Sequence, residues 1–316
     1  MTANRNLKRR IRDRAARTGE SYAAARHQVL GAPTPAGQAS RTLTVAAAQV
    51  PLRPDPGDVT QIRDSGATVR ALMRQARGRG AGLVHFPEGA LTSPGKQVMS
   101  STGPDPIGPA DWTRANWAEL DRELRETAVL AGRLGIWVVV GGIQRRRDGA
   151  RPSNGLFVIS DQGQLTGCYA ERMLSRTKAT FMYSPGAEPL VFTAQGLRFG
   201  CALGMETHYA EVFSAYEELQ VDCVLFSTHG NTEAPGVFAV EAAGHAAANS
   251  FWVSYAGPAG DGQPPSGLLT PEGNWAVRGT TRTAELAVAD VVTDPASPAR
   301  AWRRAARAAI RGETPA

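Results

Sequence analysis

The stretch that most constrains this chain is Gly-Ile-Trp-Val-Val-Val-Gly-Gly-Ile at 135–143, a run with no charged side chain. It is short for a helix and rich in β-branched residues, so it reads as a strand covered on both faces. Such a strand needs a packed layer on each side. Similar apolar runs occupy 42–50, 82–88, 154–160, 199–203, 222–229 and 251–255. Between the first two, Ile62, Val69, Leu72, Met73 and Ala76 recur at helical spacing over 57–78. That strand–helix–strand order is a βαβ unit. Helices are also expected over 111–134, 210–219 and 238–249. A chain of 316 residues with 42% hydrophobic residues has enough apolar surface for one large α/β domain or two smaller ones.

Three cysteines without a short paired spacing argue against a disulfide framework and against a thiolate zinc site. They fit a reducing, cytoplasmic setting. No apolar run reaches the roughly 18 residues that span a bilayer, so no membrane partner is expected. The basic N-terminus has no apolar region behind it and does not read as a secretory signal.

Charge is concentrated at the front. Residues 1–31 carry Lys8 and arginines at 5, 9, 10, 12, 14, 17 and 26 against Asp13 and Glu20, a net of +6. The remainder balances to zero, with 27 cations against 27 acids. Residues 1–31 read as a basic helical extension. One reading is a solvated arm that packs through Leu7, Ile11, Tyr22 and Val29. The other is a hairpin that binds nucleic acid or an acidic protein. Residues 32–40 form a linker by composition, 41–293 the main domain, and 294–316 an amphipathic helical tail. In the tail Ser297-Pro298 starts a helix. Trp302, Ala305, Ala306, Ala309 and Ile310 line one side of it, opposite arginines.

Three segments carry the candidate chemistry. Residues 82–88 end in Phe-Pro-Glu88. The run Tyr169-Ala-Glu-Arg-Met-Leu174 follows an aspartate–glycine turn. The strand at 199–203 stops at Gly204 and turns through Met-Glu-Thr-His-Tyr209. A strand ending in a sharp turn exposes whatever the elbow carries. These signatures and the order of elements over 42–292 resemble the nitrilase (carbon–nitrogen hydrolase) superfamily. The resemblance implies a two-sheet αββα sandwich with helices outside, and commonly a homo-oligomer. It also implies no cofactor, and substrates among small amides, nitriles and carbamoyl compounds.

In that family a cysteine thiol attacks the carbon, a glutamate serves as general base, and a lysine stabilises the negative charge that develops on oxygen. The glutamate corresponds to Glu88. The cysteine position is Gly204, which cannot attack anything. The lysine position falls on Glu171, or on Arg172 if the register slips by one. Adjacent strand residues point to opposite faces, so only one of the two faces the pocket. Lys178 lies nearby, but only seven residues before Pro185, closer than the family pattern places its lysine. The family's further glutamate in this loop is missing from 172–187. Cys168, Cys201 and Cys223 read as packing residues.

Glu88, Glu171, Arg172 and His208 are therefore the candidates for chemistry. Gly204, Met205, Glu206, Tyr209 and His229 are the candidates for lining a small-molecule pocket. A metal held by Glu206, His208 and His229 has no specific spacing behind it. If Glu171 faces Glu88, the two carboxylates cannot both ionise easily, and one holds a proton near neutral pH. Such a pair suits non-covalent acid–base chemistry on an amide- or carbamoyl-like compound. The chain is therefore expected to be either a non-catalytic descendant or an enzyme with such changed chemistry; the alternatives are an amidase that keeps its activity through substituted residues and a basic-arm binding module. Changed chemistry calls for an open polar pocket at Glu88. A bare scaffold calls for one filled by Met173, Met205 or Tyr209.

Overall fold

The computed structural model describes residues 40–146, 149–230, 234, 236–280, 282–293 and 297–311. The expected basic extension at 1–31 lies outside them. Residues Thr42–Val292 form one compact unit. In chain order its main elements are β1 (Thr42–Gln49), α1 (Val59–Gly78), β2 (Leu83–His85), α2 (Trp117–Leu134), β3 (Trp137–Gln144), β4 (Ser153–Ile159), β5 (Leu165–Ala170), β6 (Val191–Ala194), β7 (Leu197–Leu203), α3 (Ala210–Glu218), β8 (Cys223–Ser227), α4 (Val237–Asn249), β9 (Trp252–Ala256), β10 (Gly267–Leu269), β11 (Trp275–Arg278) and β12 (Glu285–Val292). Outside this unit, α5 (Pro298–Arg311) is the expected tail helix, with Trp302 and Ile310 exposed.

Among the described residues the strands form two six-stranded sheets, ordered β12-β1-β2-β3-β4-β5 and β11-β10-β9-β8-β7-β6. Each has a parallel centre, β1-β2-β3 in the first and β7-β8-β9 in the second, flanked by antiparallel strands. Strand alternation sorts the side chains into layers. Val45 and Ala47 of β1 face inward with Val139, Leu156, Phe199, Cys201 and Leu225, forming the core between the sheets. Ala46 and Ala48 face outward and pack with Val69, Leu72 and Met73 of α1. On the far side of the second sheet, Phe213, Phe226, Phe238 and Ala242 make the matching outer layer. The result is an αββα sandwich.

The first sheet's helices end where local chemistry stops them. Asp58 caps α1 by accepting from the Thr60 and Gln61 amides. The helix expected over 111–134 is interrupted. Asp111 caps a single 3₁₀ turn, Trp112–Arg114, whose chain then turns extended at Ala115. Asn116 caps a fresh start by accepting from the Glu119 amide, and α2 ends at Gly135 in the left-handed region, φ 61°.

One polar bridge crosses the dry core between the sheets. His85 lies between Ser254 Oγ, 2.9 Å from Nδ1, and Ser227 Oγ, 2.7 Å from Nε2. Ser227 Oγ also donates to the Phe86 carbonyl at 2.9 Å. Burial pushes the His85 imidazole down to about 3, so it stays neutral. The bridge ties the end of β2 to the end of β8, and Glu88 and His229, a few residues beyond those ends, line the cavity described below.

Candidate active site

The site lies where the parallel strands of both sheets end, the usual place for a ligand crevice in open α/β sheets. Glu88 follows β2, Asn154 is on β4, Glu171 follows β5, Gly204 ends β7 and His229 follows β8. A short π-helical turn, Lys178–Met182, brings in the remaining charge. Lys178 is buried, and its ammonium binds both carboxylates, Glu88 through Oε1 and Glu171 through Oε2 at 2.8 Å. Asn154 Nδ2 donates to the same two oxygens, at 2.9 and 2.6 Å. The His229 amide donates to Glu88 Oε2 at 3.2 Å, and its Nδ1 lies 3.3 Å from that oxygen.

The two carboxyl groups differ electrostatically. Burial alone would push both up. For Glu88, the charges of Lys178 and then His229 outweigh burial and hold it well below the usual carboxylate range. For Glu171, burial dominates, Lys178 counters it and the Glu88 charge adds to it, so the group is pushed up to about 7. Of the two, Glu171 is therefore the group that takes up a proton as pH falls toward and below about 7, while Glu88 stays ionised. Burial lowers the Lys178 ammonium, but Glu171 and Glu88 outweigh it and the net shift is upward. Since Glu171 Oε2 already accepts two hydrogen bonds, the proton belongs on Oε1. That oxygen is buried and has no partner among the described residues.

Glu171 and Arg172 separate as strand alternation requires. Glu171 is fully buried beside Glu88. Arg172 points away, donating from Nε to the Tyr169 hydroxyl at 3.0 Å and lying over its ring. Arg172 is therefore not part of the Glu88 cluster, a correction to its place among the candidates for chemistry. The cation that seemed lost at position 171 is present after all, supplied from seven residues further on. The family spacing discounts Lys178, which lies closer to Pro185 than that pattern places its lysine; the π-helical turn that Lys178 opens nevertheless brings it to both acids. The available signal was that Lys178 is the one lysine in 172–187. Asn154, which bridges both acids, was also missed as a site residue. Its inward side of β4 was legible in the alternation.

The elbow itself is a 3₁₀ turn, Gly204–His208. Gly204 has φ 51°, a conformation that L side chains rarely adopt. A Cβ there would lie 2.9 Å from Glu171 Oε1, 3.1 Å from Glu88 Oε2 and 3.4 Å from Lys178 Nζ. The charged cluster therefore closes against the bare glycine backbone. Four further candidates lie elsewhere. Glu206 is buried and committed to structure, accepting from the Leu203 amide at 2.8 Å, the Arg172 amide at 2.6 Å and the Tyr169 hydroxyl at 2.8 and 2.7 Å. His208 pairs with Glu241 at 2.7 Å and packs on Phe238. Met205 packs into the outer core of the second sheet, and Tyr209 is exposed. Glu206, His208 and His229 do not converge, because each has a different partner.

Beside Glu88 a cavity of about 310 Å³ opens, lined by Glu88, Asn154, Lys178, Tyr183 and His229 and by the 93–97 segment. Met173, Met205 and Tyr209 are not among its lining residues. No thiol lines it either. Burial pushes Cys168 up to about 12 and raises Cys201 and Cys223 further. No helix among the described residues is long and apolar enough to cross a membrane.

A family model described as carbon–nitrogen hydrolase matches residues 44–301. No curated protein matches the chain. Among solved structures, the fold is shared with a mutant of the amidase from Nesterenkonia sp. AN1 in complex with butyramide. That match has a TM-score of 0.65 at 17% identity, over 85% of this chain and 96% of the amidase. Another mutant of that amidase, described as from the nitrilase superfamily, matches with a TM-score of 0.63 at 18% identity, over 85% and 96% of the two chains. Glutamine-dependent NAD+ synthetase from Acinetobacter baumannii, in complex with ADP, matches with a TM-score of 0.62 at 19% identity, over 79% of this chain. The present chain spans 45% of that synthetase. At these identities the likeness is one of fold.

Proposed function

The chain belongs to the carbon–nitrogen hydrolase family, and we propose that it hydrolyses a small amide- or carbamoyl-type compound without a covalent intermediate, using water where its relatives use a thiol. The observation that carries this reading is the open cavity on Glu88. An ionised carboxylate and a buried ammonium face it, and no thiol does. A covalent route has no nucleophile at Gly204, while the base and the cation are both in place.

The steps follow from the charges. Glu88 takes a proton from a water molecule as its oxygen attacks the carbonyl carbon. The carbonyl π electrons move to oxygen. Of the three N–H groups of the Lys178 ammonium, two are spent on Glu88 and Glu171, leaving the third for that oxyanion. As Lys178 turns toward the oxyanion, its hold on Glu88 weakens and Glu88 becomes a stronger base. The carbon–nitrogen bond then breaks. Glu88 returns its proton to the leaving nitrogen, and the products are a carboxylic or carbamic acid and ammonia or an amine. Neutral Glu171 gives the ammonium one counter-charge instead of two, which preserves its capacity to stabilise the oxyanion.

The test is ammonia release from a panel of small amides, carbamoyl compounds and nitriles, with Glu88→Gln protein as control. Release that falls by a hundredfold or more, on the order of a lost general base, supports the proposal. Release that is absent, or equal in the control, removes it.

A further inference from the structure

We propose that the molecule taken by this cavity carries a carboxylate in addition to its carbon–nitrogen bond, and that Lys96 binds that carboxylate. The inference rests on the hydrolytic reading for the identity of the reacting bond, but the anion site stands on separate observations. Lys96 lines the same cavity as Glu88 and Lys178, together with its neighbours Ser93, Pro94, Gly95 and Gln97. Among the described residues Glu88 is the one acid lining the cavity, and Lys178 is paired with it. The Lys96 side chain makes no hydrogen bond or ion pair among the described residues.

The backbone under Lys96 is pinned, so the charge is presented from a fixed base. The Ser93 amide donates to the Arg53 carbonyl at 3.1 Å and the Gly95 amide to the Pro54 carbonyl at 2.8 Å. After the short turn Lys96–Met99, Arg114 donates to the Val98 carbonyl at 2.7 Å and the Asp111 amide to the Met99 carbonyl at 2.8 Å. A cavity lined by a cation that has no partner among the described residues attracts anions. Its volume of about 310 Å³ equals roughly ten water molecules at 30 Å³ each. That admits a chain of a few carbons with an amide at the Glu88 end and a carboxylate at the Lys96 end.

The experiment titrates succinamate, glutaramate and neutral butyramide into full-length protein carrying Glu88→Gln. The titrations are repeated with Lys96→Met or Lys96→Arg added, and followed by calorimetry. The expected result is that at least one monoamide acid binds about tenfold or more tighter than butyramide, a charge-assisted contact being worth that much. Lys96→Met abolishes the preference and Lys96→Arg retains most of it. Equal binding of acid and neutral amide, no saturable binding of either acid, or a preference indifferent to Lys96→Met each overturns the inference. The ammonia assay on wild-type protein separates this outcome from failure of the hydrolytic reading. Lys96-dependent acid binding without ammonia release keeps the anion site and removes hydrolysis. Glu88-dependent release without Lys96 dependence does the reverse.

Discussion

Glu206 and Glu171 are both buried carboxyl groups that touch the Gly204 segment, and burial pushes both up. Around Glu206 the chain supplies donors for both oxygens: the backbone amides of Leu203 and Arg172 and the Tyr169 hydroxyl. Those donors are held by the strand ends themselves, so Glu206 staples the end of β5 to the elbow after β7. Around Glu171 the donors are side chains, Lys178 and Asn154, and both bind the same oxygen. The other oxygen faces Gly204 and has no hydrogen-bond partner among the described residues. A buried polar atom left unsatisfied costs stability, and a fold retains such an atom where it serves something other than stability. The fully satisfied carboxylate therefore reads as scaffold and the half-satisfied one as machinery, although the two come from neighbouring loops.

The largest expected effect comes from removing the scaffold acid. Glu206→Ala strands several buried donors and should destabilise the chain by on the order of 4 kcal/mol in urea unfolding. A loss below about 1 kcal/mol would break the comparison. Next is Lys178→Met, which leaves Glu88 buried without its cation. A loss of about 3 kcal/mol is expected, together with loss of ammonia release.

A smaller, pH-dependent effect separates the two acids further. The Glu171 carboxyl is raised from 4.5 to about 7 in the folded chain. The folded state thus holds a proton that the unfolded chain releases between those values, and stability falls as pH rises across that window. Glu88 runs the other way: its depressed value gives stability that is present above the unfolded value and lost only in stronger acid. Glu171→Gln mimics the protonated form. Its melting curve should match wild type near pH 5 and exceed it by about 2 kcal/mol near pH 8. On the hydrolytic reading, wild-type ammonia release also declines above pH about 7, and Glu171→Gln flattens that decline. A melting difference that does not change between pH 5 and 8 would place the proton elsewhere.

The smallest effect sharpens the role of the elbow. Gly204→Cys puts a Cβ into the left-handed region and close to Glu171 Oε1. About 1 kcal/mol of destabilisation is expected from the backbone alone. Because the cluster already occupies that space, the added thiol should not raise ammonia release above wild type. A gain in release would mean that the carboxylates move aside readily and that the cluster is not set.

The apolar runs at 42–50, 135–143 and 222–229 became β1, β3 and β8, and the helical periodicity at 57–78 became α1. These patterns are local: a two-residue or 3.6-residue repeat survives in any window of the chain. The same locality placed Glu88 at the end of a strand and put a glycine at the elbow; the αββα arrangement and the roles expected at Glu88 and Gly204 came from the resemblance to the carbon–nitrogen hydrolases. The sequence left Glu171 and Arg172 interchangeable, because alternation says that neighbours diverge but not which one turns inward. It discounted Lys178, whose partner Glu88 is 90 residues away, and it assigned Glu206 to the pocket when the Leu203, Arg172 and Tyr169 donors claim it. Those choices depend on how two sheets stack and on which groups are then within hydrogen-bonding reach, a matter of distances between remote segments that only the tertiary structure fixes.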